Sequence, residues 1–275
     1  MHPSLIPPRQ VGINDAALFL GMTPQGIRHY QEAGLLPEPG RGGDDRQYGY
    51  EDMIRLLWIR KMVDAGIAVD GIRGAFDDTA PAGTGGDRGV VVQAMRTPEG
   101  RMGLLSDFVT RRLKSMPGGS LRQADLDILL VTERIFGPLG AAVQAARFIA
   151  VATHPGLREE SDRVDAAEES LDDTVAVDDP RVAQVAADRH AFELMIQAAI
   201  EHSGLAQDDD ELFDSWDALH PAVDSGDSDG RACGVGQGAM SLVEAVGKMP
   251  YDFSPARLRC MELTEELSAH EFRAS

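Results

Sequence analysis

The chain has 275 residues, 43% of them hydrophobic and 26% charged, with a formal net charge of −19. That is too long for one small module and ordinary for a globular protein of two domains. No apolar run is read as approaching the roughly 18 residues of a membrane span, and the opening MHPSLIPPRQ lacks the basic and apolar regions of a secretory signal, so a cytoplasmic protein without membrane insertion is expected. Two cysteines, Cys233 and Cys260, are too few for a secreted disulfide framework and read as free thiols.

The charge is unevenly spread. Residues 1–118 carry 14 Lys+Arg against 14 Asp+Glu, whereas residues 119–275 carry 12 against 31. A polyanion such as DNA would be repelled by the second part, so any nucleic-acid contact belongs to the first.

In chain order, Asn14 is expected to cap a short helix whose apolar face is Ala17, Leu18 and Leu20 and which Gly21 closes. After a three-residue turn Thr23 caps a second helix with Pro24 at its first position, where a missing N–H costs nothing. On that helix Ile27 points inward, while Gln25, Arg28 and His29 are polar. Two short helices joined by a tight glycine turn predict a helix-turn-helix, with the second helix entering the major groove. Leu35 and Leu36 are apolar anchors beyond that helix, Pro37 stops any helix there, and a Gly-rich stretch with Arg41 and Arg46 fits a short hairpin wing. A strongly periodic helix then opens at Tyr50 or Glu51, with Ile54, Leu57, Trp58, Met62 and Val63 inward, and a shorter one occupies about 69–76. Trp58 is read as core.

The order of helix, TPQGIRHYQEAGLLP, RQY and EDMIRLLWIRKMVDAGIAVDGIR resembles the MerR family of bacterial regulators over roughly residues 10–76. The resemblance places the family's recognition-helix Arg and Tyr at Arg28 and Tyr30, and its wing Arg-x-Tyr at Arg46 and Tyr48. Asp44 and Asp45 stand where the family has Gly-Tyr, and His29 replaces an aromatic. It implies a regulator, not an enzyme, that binds duplex DNA in the nucleoid as a homodimer on a pseudo-palindrome between promoter elements. It further implies contact with RNA polymerase and control by bending and untwisting the spacer. The DNA-contact candidates are Thr23, Gln25, Arg28, His29, Tyr30, Arg41, Arg46 and Tyr48. For Tyr30 and Tyr48, stapling of the core is the competing role.

The fold class expected is mainly α: a winged helix-turn-helix with a small β wing over 1–76, a linker and dimerisation helix over 77–118, and an acidic helical domain over 119–275. The run DDTAPAGTGGDRG interrupts the first two as a loop. Candidate dimerisation elements are 99–115, with Met102, Leu105, Phe108, Val109 and Leu113 on one face, and 120–153, which is too apolar for a solvated coiled coil and reads as the central buried helix of the second domain or a subunit interface, kinked at Pro138. Helices are also expected over 157–172, 180–203, 208–218, 237–247 and 255–271. In the acidic domain Phe148, His190, Phe192, Met195, Trp216 and Met240 are candidates to line a small-molecule effector pocket, with plain core as the competing reading. The alternative function is a DNA-binding protein whose acidic part docks a protein partner without a small ligand. No metal or cofactor is expected: residues 77–232 hold no cysteine, a calcium loop through DSGDSDG (224–230) would have Ser225 at its first ligand position and Gly236 in place of the bidentate Glu, and CGVGQGAM lacks nucleotide-loop spacing.

Overall fold

The computed structural model describes residues 6–37, 47–76, 94–114, 116–219 and 242–274. The wing candidates Arg41 and Arg46, the interruption at 77–89, residues 224–230, Cys233 and Met240 lie outside them. The described chain is mainly helical, with one two-stranded antiparallel sheet. It forms two compact units, one of Met1–Ala145 with Leu212–Asp252, the other of Ala146–Glu211 with Phe253–Ser275.

In the first unit, strand β1 (Val11–Gly12) pairs with β2 (Gln47–Tyr48), Val11 opposite Tyr48 and Gly12 opposite Gln47. Helices α1 (Ile13–Leu20), α2 (Pro24–Glu32), α3 (Tyr50–Asp64) and α4 (Val69–Phe76) match the periodicity of the sequence. Asn14 is not the cap of α1. The helix starts two residues earlier, straight out of β1, with Gly12 at the cap position and no side-chain bond, because pairing with β2 already fixes the entering backbone. Phe19, Leu20, Ile27, Leu35, Met53, Leu56, Trp58, Ile59 and Met62 are fully buried and make the core.

The segment 99–115 is not one helix. It divides into α5 (Pro98–Met102), capped by Thr97, and α6 (Asp107–Leu113), with Gly103 ending the first; Leu105, Phe108, Val109 and Leu113 are buried. Trp216 meets Phe108 edge-on with ring centroids 5.3 Å apart. The long helix α7 (Gln123–Thr153) is broken at Gly137, whose φ of 77° and ψ of 178° only glycine adopts without strain, with Pro138 next in the chain. Against the expectation of no long apolar run, α7 is long and apolar enough to cross a bilayer by length and composition. Leu126, Leu129, Leu130, Val131, Ala141, Ala142 and Ala145 on it are packed in the protein interior, while Ile128 and Phe136 are exposed.

The first part of α7 is joined to the N-terminal helices by polar contacts as well as by burial. The Trp58 indole donates to Asp127 Oδ1 at 2.6 Å, and Gln123 donates to the same oxygen at 2.6 Å. Lys61 pairs with Glu133, whose other oxygen accepts from the Ser106 backbone N–H at 2.8 Å, and Arg134 donates to the carbonyl of Phe19. Also in this unit, α10 (Leu205–Leu219) contributes its second half, and Lys248 of α11 (Leu242–Lys248) pairs with Asp15 at 2.7 Å.

In the second unit α9 (Pro180–Ser203) packs on α8 (Pro155–Glu169) and on α12 (Pro255–Ala274). One core cluster is Leu171, Val175, Val182, Val185, Ala186, Ala256 and Cys260; the other is Ala150, Val151, Leu157, Val164, Phe192 and Ile196. Asp179 caps α9 by accepting from the Arg181 N–H at 2.9 Å, and Ser254 caps α12 through Arg257 N at 3.0 Å.

Burial holds the Asp127 carboxyl above its ordinary range, opposed by the hydrogen bonds from Trp58 and Gln123. The folded chain therefore keeps this proton more tightly than the unfolded one. Stability from this group is present at low pH and is lost as pH rises from the ordinary carboxylate range through the elevated value. Asp127→Asn, which keeps an acceptor for the indole, should match or exceed the wild type at neutral pH, with the difference narrowing towards pH ~4. Asp127→Leu should cost about 1–3 kcal/mol by leaving the indole N–H unpaired. Urea denaturation monitored by circular dichroism across that pH range reads both.

Candidate nucleic-acid interface

The interface candidates are positioned by the turn between α1 and α2. Gly21 closes α1 in the left-handed conformation, φ 64°, with its N–H on the carbonyl of Leu18. Two residues later the Thr23 hydroxyl accepts from the Gly26 N–H at 3.1 Å, with Pro24 at the first helical position. The buried Ile27 fixes the rotation of α2, leaving Gln25, Arg28 and His29 exposed. Gln25 and Arg28 make no side-chain hydrogen bond or ion pair among the described residues, so both are available to a ligand. The far end of α2 is held by arginines from other helices: Arg73 donates to the carbonyl of Ala33, and Arg55 to that of Leu35 at 2.5 Å.

The two tyrosines differ. Tyr48 is fully buried, and its hydroxyl accepts from the Gln31 side chain at 2.9 Å, so it tethers α2 to β2 from inside. Tyr30 is half-buried, and burial reinforced by Asp64 and opposed by Arg60 pushes its hydroxyl above the ordinary phenol range.

Sequence reading passed over a second cationic feature. A side chain on Gly21 would put its first carbon 2.7 Å from Arg60 Nη1 and 3.6 Å from Arg134 Nη2, so two guanidinium groups share the space over this one glycine. Arg60 lies on α3, one turn before Asp64. Arg134 lies 115 residues from the Phe19 carbonyl it contacts, and no local pattern marks it.

Of the residues proposed for an effector pocket, Met240 lies outside the described residues, Trp216 belongs to the first unit, and the other four lie in the second. Phe192 is at the centre of a packed cluster and Phe148 is buried. His190 bridges Glu271 at 3.0 Å and Ser268 at 3.2 Å, and Met195 is 46% exposed. A cavity of about 210 Å³ in the first unit is lined instead by Tyr50, Ile128, Val131, Thr132, Ile135, Phe136 and Tyr251. Burial raises the hydroxyl pKa of both tyrosines, whose rings are 5.3 Å apart. Among the described residues no group of three or more His, Cys, Asp or Glu side chains is placed to hold a metal. Burial, with Glu168 nearby, pushes the Cys260 thiol up to about 11, leaving it an inert core thiol.

Comparison with known families adds one match: residues 12–79 fit the model described as MerR HTH family regulatory protein. The N-terminal module is of the MerR type. The match runs from the end of β1 through α1, α2, β2, α3 and α4 and ends just beyond. No curated protein matches the chain, and no solved structure matches it.

If the Thr23 hydroxyl sets the start of this helix, Thr23→Ala should destabilise the unit by about 1 kcal/mol and Thr23→Ser should not. The midpoint of urea denaturation measures the difference.

Proposed function

We propose that the protein is a sequence-specific transcriptional regulator that binds duplex DNA as a homodimer through α2, with Gln25, Arg28 and His29 towards the bases and Thr23, Tyr30 and the wing arginines Arg41 and Arg46 towards the backbone. The observation that carries this reading is the exposed face of α2, with Gln25 and Arg28 uncommitted among the described residues, within a segment that matches a regulatory helix-turn-helix family. Arginine offers the fork of donors that reads guanine or holds phosphate, and Gln25 the amide that reads adenine. The even charge of residues 1–118 permits approach to DNA, and the acidity of residues 119–275 taken together keeps most of the remainder off it.

Such a regulator works in the cytoplasm, on the nucleoid, and acts on RNA polymerase through the geometry of the promoter. Residues 1–76 are the reading head, and residues 77–118 lead to an acidic helical part that receives the signal from a small-molecule effector. One observation favours the alternative, a protein partner docked on that part: Leu194, Met195, Met261 and Leu267 are exposed on α9 and α12, while Phe148 and Phe192 are packed away.

Full-length protein mixed with fragmented genomic DNA at two salt concentrations, captured and sequenced, should enrich a defined inverted repeat. Arg28→Ala should weaken binding to that repeat by about 1–3 kcal/mol, roughly 5- to 150-fold, with the helical circular dichroism unchanged. Lack of enrichment by the wild type would overturn the regulator reading.

A further inference from the structure

Arg134 is a cation in the first unit for which, among the described residues, no carboxylate lies within ion-pair distance. Its Nε is spent on the carbonyl of Phe19, and its guanidinium lies 5.6 Å from the centre of the Phe19 ring. Its terminal nitrogens lie over the Gly21 turn beside those of Arg60. Among the described residues the acid paired with Arg60 is Asp64, one turn along the same helix at 3.6 Å, with its side chain 65% exposed. Such a pair is solvent-screened and contributes little. Burial, and to a lesser degree the charge of Arg60, lowers the Arg134 pKa, which is the mark of a cation placed where its own charge is disfavoured. Tyr30, from the last turns of α2, feels the same Arg60 and Asp64.

Two guanidinium groups side by side repel unless an anion sits between them. A tetrahedral oxyanion with several acceptor oxygens is the ligand that satisfies two guanidinium forks together. The turn beneath, lacking a side chain at Gly21, leaves the room, and the site borders the start of the recognition helix. We infer that Arg60 and Arg134 form a seat for one backbone phosphodiester of bound DNA, with Arg134 supplied from the core helix α7, outside the matched family segment. This rests on the reading that α2 docks on duplex DNA. Arg134 then does two things: it ties α7 to the end of α1, and it makes the seating of DNA depend on where α7 lies.

Phosphate contacts are sequence-independent and are read in the salt dependence of affinity. The test uses full-length protein and a fluorescein-labelled mixed-sequence 30-base-pair duplex, with anisotropy titrations at several salt concentrations. Arg60→Gln and Arg134→Gln should each weaken binding roughly five- to tenfold at low salt and reduce the slope of log affinity against log salt by about one per protomer. Arg134→Lys, which retains the charge, should keep most of the slope. If the wild type binds and both glutamine variants keep its slope, the seat is wrong while the DNA-binding reading stands. If the wild type fails to bind any duplex, both fall. Arg60 is on the surface, so Arg60→Gln decides the matter by itself should Arg134→Gln fail to fold.

Discussion

The hydrogen bond from the Trp58 indole to Asp127 joins two segments 69 residues apart, and the first unit is organised around the docking it marks. Polar contacts and burial contribute differently there. Each neutral hydrogen bond adds about 1 kcal/mol net, whereas each of Leu126, Leu129 and Leu130 contributes about 1.5–3 kcal/mol by leaving water, so burial supplies most of the free energy. The hydrogen bonds supply register. An indole N–H or a carboxylate left without its partner in that environment costs more than the bond gains, so α7 is held in the position on α3 in which Asp127 and Glu133 are both satisfied, with Arg134 reaching the Phe19 carbonyl of α1. Glu133 passes the constraint on, because its second oxygen holds the backbone at the start of α6. A DNA-reading head that elsewhere could be a free module is here one side of a larger core.

The second unit is held by a different device. Arg189, with its side chain 13% exposed, pairs with Glu168 at 2.6 Å and Asp165 at 2.7 Å and lies 5.8 Å from the centre of the Phe192 ring. Arg147 forks onto Glu193 from the same neighbourhood. In a segment so rich in acids, these arginines neutralise the inward carboxylates and allow α8 and α9 to pack, leaving the surplus negative charge outside. This explains why Phe192 is core: the ring is enclosed by aliphatic neighbours and capped by two cations.

The recognition helix was legible because its signals are local. Thr23, Pro24 and Gly21 act on their own backbone within four residues, and Ile27 alone decides which face turns inward. The kink of α7 was legible for the same reason, in Gly137-Pro138. Asn14 misled because a capping residue was read without the strand that precedes it, and the strand pairing is long-range. The segment 99–115 kept its apolar period across Gly103, so its residues were placed inside correctly but on one helix instead of two. Least legible were Asp127 and Arg134. Each is a charged residue on an apolar helix, and only the tertiary partner, Trp58 or the Phe19 carbonyl, distinguishes it from a solvated one. The effector candidates were hard to read for a related reason: aromatic residues at helical spacing say that a helix is buried, not what it is buried against.

The central claim is that helices α1 to α3 and the first half of α7 form one cooperative core, and native-state hydrogen exchange on the full-length protein tests it most directly. The account predicts that backbone amides of 53–62 and of 126–131 exchange with the same opening free energy, and that Trp58→Phe lowers both together. Strong protection of 53–62 with rapid, independent exchange of 126–131 would contradict it, and would return the reading head to the status of a module that folds without α7.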